Sequence, residues 1–196
     1  MNASTIVLLI TSILTTLILG VLIAVTFSMF MVSRRINQRL DDLDDNLIET
    51  KLSSGKDDIF IVTREGMAIR FDEDDVRPMG RAARGVRGVS LSKDDKVVGM
   101  EVVAKDSKET ILIVTENGMG KRTSIEEYRL QGRGGVGLIT QKTTDKSGFV
   151  VSARLVKDSD QVLLNTNSGQ SIRMRCSDIS VISRNTQGVK LMNLNE

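Results

Sequence analysis

The sequence contains no histidine, no tryptophan, one cysteine and one proline, and its aromatic content is 3%. The absence of histidine removes the commonest general base and the commonest metal ligand. The single Cys176 excludes an intramolecular disulfide and a cysteine zinc cluster; it fits a reducing compartment and a small buried apolar side chain. So few aromatics argue against a stacking platform for single-stranded nucleic acid. We therefore predict no catalytic residue, no metal site and no cofactor.

Charge is also missing from the N-terminal stretch, which has no charged side chain from Met1 to Ser33. Residues 6–32 are mostly Ile, Leu, Val, Phe and Met, interrupted by Thr, Ser, Ala and Gly20, and a helix needs about 20 apolar residues to cross a bilayer. The stretch therefore predicts a transmembrane helix within residues 1–33. A cleaved signal peptide is the alternative, although it would carry a basic start and a shorter apolar core. Arg34, Arg35 and Arg39 follow the stretch and place the C-terminal part in the cytosol, as a single-pass protein of the cytoplasmic membrane.

A short polar segment, residues 34–55, follows the apolar stretch. Ile36, Leu40, Leu43 and Leu47 are spaced as the a and d positions of two heptads, with charged residues between them. This pattern predicts an amphipathic helix; the more specific alternative is self-association through this segment and the apolar span. Residues 53–55, Ser-Ser-Gly, then indicate a linker.

Residues 56–196 contain a repeat of about fifty residues. Three times, an apolar run is followed by a short polar turn that ends in a glycine, at Gly66, Gly118 and Gly169. These glycines are 52 and 51 residues apart, and a second short β-like run follows each of them. Two such runs joined by a short polar turn indicate a β-hairpin. A Gly-rich arm and a further β pair complete each unit. The sequence predicts an all-β array of three propeller-like blades over residues 57–106, 109–157 and 160–194.

Three segments carry a specific likeness: residues 71–88 (Phe-Asp-Glu-Asp-Asp-Val-Arg-Pro-Met-Gly-Arg, then Arg-Gly-Val-Arg-Gly), residues 115–129 and residues 182–189. They resemble one known family, the C-terminal domain of the DNA gyrase A subunit or the A-type subunit of topoisomerase IV. The resemblance implies a β-pinwheel, in which blades exchange strands and duplex DNA wraps around a basic rim. It also implies a non-catalytic part of an ATP-dependent type IIA topoisomerase, with a topoisomerase-like protein as a partner.

The sequence departs from this family in three respects. The family generally has about six blades, whereas this chain has three repeats, so we expect a homo-oligomer in which two chains complete a ring, or else an open monomeric arc. The family's Gln-Arg-Arg-Gly-Gly-Lys-Gly box has its nearest equivalent at residues 131–137, which lack two of the basic residues. The catalytic core is absent, and Tyr128 lies within a blade, where we do not expect a nucleophile.

The net charge of +2 does not by itself indicate a nucleic-acid binder, so the argument rests on where the charges lie. Residues 77–88 contain four arginines and no acidic residue, and arginine pairs well with phosphate. The predicted DNA-binding residues are Arg77, Arg81, Arg84, Arg87, Lys121, Arg122, Arg129, Arg133, Arg173, Arg184 and Lys190. Because acidic runs such as residues 72–75 lie nearby, a membrane-anchored scaffold that has lost DNA binding stays open as an alternative, as does a gyrase-derived fragment joined to an unrelated leader by gene rearrangement.

Overall fold

A computed structural model describes residues 19–20, 22–33 and 46–194. The chain divides into two compact units, Met1–Leu47 and Ile48–Glu196. In the first unit, residues 19–20 and 22–33 are helical. Among the residues described, no helix reaches the length and apolar character that crossing a bilayer requires. Residues 6–18 and 21 of the predicted span, and residues 34–45 of the predicted heptad segment, lie outside the described residues.

The second unit is built from β-hairpins at the positions that the repeat predicts. Strands β1 (Asp58–Thr63) and β2 (Met67–Asp72), β4 (Thr110–Thr115) and β5 (Met119–Ser124), and β8 (Gln161–Asn165) and β9 (Ser171–Arg175) form three antiparallel pairs. The glycine of each connecting turn has a positive φ, between 73° and 86°, a conformation that other residues adopt at a cost. The hairpin prediction is confirmed.

Neighbouring repeats exchange strands. Strands β3 (Val97–Val103) and β7 (Val150–Val156) pair with β1 and β4 and form one edge of the first two sheets. The two-residue strands β6 (Leu138–Ile139) and β10 (Val189–Lys190) each pair with a strand of the preceding repeat. The two four-stranded sheets have the orders β3-β1-β2-β6 and β10-β5-β4-β7. This exchange confirms the all-β, pinwheel-like fold. The third repeat differs from the predicted full blade, because its described part forms a sheet of only β8 and β9.

Apolar side chains that alternate along the strands fill the junctions between repeats. At the first junction, Phe60 and Tyr128 are buried and meet edge to face with ring centroids 4.8 Å apart. The Tyr128 hydroxyl hydrogen-bonds Thr140 Oγ1, and burial raises the pKa of Tyr128 to about 12. At the second junction Cys176 is buried beside Leu112, as its sequence context predicts. Both side chains serve packing.

Each hairpin is followed by a short 3-10 turn. The turns are Glu73–Asp75, Ile125–Glu127 and Cys176–Asp178. The first two start from a side-chain cap, in which Asp72 accepts from the Asp74 N–H and Ser124 accepts from the Glu126 N–H. After each turn the chain enters its Gly-rich arm, so the turns set where the arms begin.

Candidate nucleic-acid interface

The first arm, residues 77–90, is the most basic part of the described surface. Its four arginines, Arg77, Arg81, Arg84 and Arg87, are all exposed, and no acidic residue occurs between residues 76 and 92. The arm has no regular secondary structure over residues 77–80 and 83–90. Because this irregular segment is exposed, several of its guanidinium groups can approach the phosphates of one duplex.

Two of the predicted arginines hold the arms in place. Arg133, from the second arm (residues 129–139), donates to the Asp75 carbonyl at 3.1 Å and to the Arg87 carbonyl at 2.6 Å. Arg184, from the third arm (residues 180–190), donates to the Ile139 carbonyl at 3.2 Å. Because these guanidinium groups bind backbone carbonyls of a neighbouring arm, they position the arms and have fewer N–H groups left for a phosphate.

Lys121 and Arg122 correct the sequence prediction, because both are buried, at 0% and 4% exposure. Lys121 Nζ donates to the Ser183 carbonyl at 2.9 Å, to the Thr186 carbonyl at 3.2 Å and to the Arg184 carbonyl. Burial lowers the pKa of Lys121 to about 8. Neither side chain is accessible to a phosphate in this fold, since β10 and the third arm pack over β5.

Arg122 has a counterpart in the first repeat that sequence analysis missed. Arg122 Nε donates to the Ile179 carbonyl at 3.0 Å, and its other end pairs with Asp158. Arg70 lies at the same repeat position and pairs with Asp58 at 2.7 Å. The spacing of 52 residues between Arg70 and Arg122 was a usable signal, because it matches the glycine spacing.

The remaining predicted residues, Arg129, Arg173 and Lys190, are exposed on three different elements. Arg129 begins the second arm, Arg173 lies on β9 and Lys190 lies on β10. The exposed acidic residues of the first two 3-10 turns, Asp74, Asp75, Glu126 and Glu127, interrupt the basic surface. The first arm is therefore the one dense positive patch of the described residues.

An ion cluster connects the start of the second unit to strands β3 and β7. Glu49 pairs with Arg154, and Lys51 Nζ lies 3.2 Å from carboxylate oxygens of both Glu49 and Glu101. Glu101 is buried. Sequence reasoning could not find this cluster, because Glu101 lies 50 residues from Lys51 and Arg154 lies 105 residues from Glu49. Over residues 19–20, 22–33 and 46–194, no group of three His, Cys, Asp or Glu side chains could hold a metal ion.

The second unit is thus an array of strand-exchanging β-blades with arginine-bearing arms, the class of the β-pinwheel. Residues 57–104, 109–157 and 160–196 match the family described as DNA gyrase C-terminal domain, beta-propeller. The chain belongs to this family. It is 45% identical over 153 residues to the DNA gyrase A subunit of Haloquadratum walsbyi, and 44% identical over 153 residues to that of Staphylococcus epidermidis.

The chain covers only part of these relatives. The matches span 78% of this chain but 18% and 17% of the two gyrase subunits. Among solved structures, the C-terminal domain of DNA topoisomerase IV superposes with a TM-score of 0.72 at 25% identity, over 76% of this chain and 46% of that one. The DNA gyrase A C-terminal domain superposes with a TM-score of 0.66 at 29% identity, over 72% and 48%.

Proposed function

We propose that this chain binds duplex DNA without catalysis and with little sequence preference, through the exposed arginines of its first arm. The observation that carries the proposal is the arm itself, which presents four exposed guanidinium groups within residues 77–87 and no carboxylate. Membership of the gyrase C-terminal family supports the same function. The sequence contains no histidine, the commonest general base, so a binding role fits the residues better than a reaction.

Phosphate contacts would supply the affinity. Each phosphate that an arginine neutralises releases condensed counterions, so binding weakens as salt rises, with a slope of about −0.9 per contact in log affinity against log salt. Arg129 and Lys190, exposed on the second and third arms, would extend the contact beyond the first arm. A duplex that follows several arms must bend, at a cost on the order of 1–6 kcal/mol for 40–90°. Contacts from more than one arm would offset that cost.

Replacing Arg77, Arg81, Arg84 and Arg87 together with glutamine is expected to remove most of the affinity for duplex DNA. Because four phosphate contacts would be lost, the salt slope should fall by about 3–4. The measurement is fluorescence anisotropy of a labelled duplex, titrated with the full chain in a mild detergent across a salt series.

The matched control removes the same number of positive charges elsewhere. Lys93, Lys96, Lys108 and Lys146 are exposed and lie outside the arms; replacing all four with glutamine should lower the slope far less. Equal losses from both quadruple variants would show that net charge alone drives binding. Absence of binding by the folded wild-type chain at low salt would favour the alternative, a membrane-anchored scaffold.

We also propose that the N-terminal segment holds this module at the cytosolic face of a membrane. The uncharged stretch from Met1 to Ser33 and the arginines that follow it support this proposal. Large apolar side chains of the helical residues 22–32, such as Phe27 and Met29, are 66% and 69% exposed and thus available to lipid.

The expected result is that the full chain stays with the membrane fraction after alkaline carbonate washing, whereas a variant lacking residues 1–33 is released. A helix over residues 6–32 would exceed the about 20 residues that a bilayer needs and would resist extraction, because alkaline washing removes only peripheral proteins. Release of the full chain by carbonate would contradict the anchor while leaving the DNA-binding proposal intact.

A further inference from the structure

Residues 48–57, at the start of the second unit, form no helix or strand, yet they contact three separate elements. We call this segment the strap. Its first half contacts β3 and β7, which are edge strands of the first and second sheets. Its second half contacts the 3-10 turn Glu73–Asp75, after which the first arm begins. A segment without secondary structure of its own thus touches both of the first two repeats.

Four side chains of alternating charge form a closed ring between the strap, β3 and β7. Glu49 on the strap pairs with Arg154 on β7. Lys51 Nζ lies 3.2 Å from a carboxylate oxygen of Glu49 and 3.2 Å from one of Glu101 on β3. Arg154 Nη1 closes the ring, 3.2 Å from Glu101 Oε1. Because each charge has two opposite neighbours and the two carboxylates are only 15% and 9% exposed, the ring is a network and not an isolated surface pair.

Glu49 also satisfies a backbone group at the open edge of β3. Among the described strands β3 pairs only with β1, and the Met100 N–H donates to Glu49 Oε2 at 3.3 Å. Burial opposes a charge on Glu49, but hydrogen bonds from Arg154, Met100 and Lys51 hold its pKa below the usual range. The carboxylate is therefore charged at neutral pH. The strap thus covers part of an edge that would otherwise be open to other strands.

The ring and the arms hold opposite edges of the same junction. The first sheet has the order β3-β1-β2-β6, so the ring lies at one edge and β6, from the second repeat, lies at the other. On the β6 side, Arg133 of the second arm donates to the Arg87 carbonyl of the first. On the β3 side the two repeats approach closely, since a Cβ on Gly99 would lie 3.4 Å from the Ala153 carbonyl oxygen of β7. Contacts at both edges restrict rotation of one repeat against the other.

The second half of the strap fixes the start of the first arm. Ser53 Oγ donates to one carboxylate oxygen of Glu73, and the Asp57 N–H donates to the other at 3.3 Å. In return, the Glu73 N–H donates to the Asp57 carbonyl at 3.0 Å. Glu73 is the first residue of the 3-10 turn that precedes Arg77. Since this turn sets where the arm begins, the strap contacts both the junction and the base of the arm.

We propose that the strap is a positioning element, which locks the first two repeats in one orientation and thereby aligns their arms for a single duplex. The alignment of the arms rests on the DNA binding proposed above, whereas the locking of the repeats does not. The two carboxylates of the ring, Glu49 and Glu101, would repel phosphate. The strap therefore acts through the position of the arms and not by contact with DNA.

The locking is tested without DNA, on the full chain in a mild detergent. Glu49→Gln removes one charge of the ring and keeps the size of the side chain. Spin labels at Lys93→Cys and Lys146→Cys, on a Cys176→Ala background, report the distance between the exposed loops that precede β3 and β7. Double electron–electron resonance should show a narrow distance distribution in the wild-type ring and a broader one in Glu49→Gln. Hydrogen exchange of the Met100 amide should be on the order of tenfold faster, because it loses a charged acceptor.

Glu109→Gln is the matched control, because it removes the same charge from a pair inside the second repeat, where Glu109 lies 3.3 Å from Lys157. It should leave the label distances and the Met100 exchange unchanged. Arg154→Gln should reproduce the effect of Glu49→Gln, and the double variant should be no worse than either single variant, since both break the same ring. Label distances and Met100 exchange in Glu49→Gln equal to those of the wild type would overturn the proposal.

The alignment of the arms is tested with a duplex of about 40 base pairs, labelled at both ends. Glu49→Gln should bind it about fivefold more weakly, because an unlocked junction must be ordered on binding, while the salt slope stays unchanged because no arginine is lost. Energy transfer between the ends should show a smaller bend. Wild-type affinity and transfer in Glu49→Gln would overturn the alignment. If the wild type itself bound no duplex, the proposed DNA binding and the alignment would both fail, and the label distances would still decide whether the strap locks the repeats.

Discussion

Lys121→Met is expected to destabilise the second unit by about 2–4 kcal/mol, since buried acceptors that lose their donor cost about 1–3 kcal/mol each before any relaxation. The Lys121 ammonium is the hydrogen-bond donor to carbonyls of the loop at residues 183–186, within the third arm. Methionine has a similar length but cannot donate, so the loop should detach from β5. Urea unfolding followed by circular dichroism measures the change.

Lys142→Met is the matched control, because Lys142 is exposed and exposed substitutions usually change stability by no more than about 0.5 kcal/mol. Hydrogen exchange should also show faster exchange of the third-arm amides in Lys121→Met but not in Lys142→Met. Equal stabilities of the two variants would contradict the role assigned to the Lys121 ammonium.

The same substitution predicts a pH dependence. Burial lowers the pKa of Lys121 to about 8, whereas a lysine in the unfolded chain titrates near about 10.4. Between these two values the unfolded chain binds more protons at this position, so the free energy of unfolding rises with pH. The stability difference between wild type and Lys121→Met should therefore be larger at pH 9.5 than at pH 7. Tyr128 does not interfere, because burial raises its pKa to about 12.

A stability difference that stays constant over this pH range would mean that the carbonyl oxygens keep the ammonium protonated. The second junction would then accommodate a charged lysine. The hydrogen bonds from its ammonium to the surrounding carbonyls would outweigh the free-energy cost of desolvating the charge.

Gly137→Ala is expected to separate β6 from β2 and so open the first junction. Gly137 has a φ of +88°, and a Cβ there would lie 2.4 Å from the Ala68 carbonyl oxygen. Since that oxygen belongs to the strand that β6 pairs with, neither backbone can move without breaking the ladder. A non-glycine residue at positive φ costs about 1–2 kcal/mol, and the clash with the backbone adds to it. We expect a loss of at least about 3 kcal/mol in the free energy of unfolding, of the size that broken core junctions produce.

Gly132→Ala is the control in the same arm. A Cβ at Gly132 meets no atom within 4 Å, so this variant should match the wild type in urea unfolding. Hydrogen exchange of the β2 amides should increase in Gly137→Ala alone. If both alanine variants had the same free energy of unfolding as the wild type, the pairing of β6 with β2 would contribute little to stability. The role given to strand exchange at the junctions would then be wrong.

Sequence periodicity predicted much of the fold because hairpins are local. The runs before and after Gly66 are adjacent in the chain, so an apolar alternation and one glycine suffice to predict the pair. The free cysteine and the lack of histidine likewise limited the chemistry without any coordinates. The exposed first arm was predicted for a similar reason, since four arginines without an acidic neighbour have no local partner.

The errors in the predicted site occurred where distant segments meet. Lys121 and Arg122 follow Gly118 in a pattern that reads as a surface strand, but β10, nearly 70 residues later, covers that strand. Nothing in the sequence indicated that Arg133 also donates to the Asp75 and Arg87 carbonyls. Sequence spacing cannot give such contacts, because they depend on which arm packs over which blade.

The amino-acid sequence by itself determined the repeat, the three hairpins, the family and the basic character of the first arm, all of which depend on residues close together in the chain. The tertiary structure decided which basic side chains reach the surface and which of them hold the arms. These outcomes depend on strand exchange between repeats about fifty residues apart, and the burial of a charge is decided by the segment that covers it.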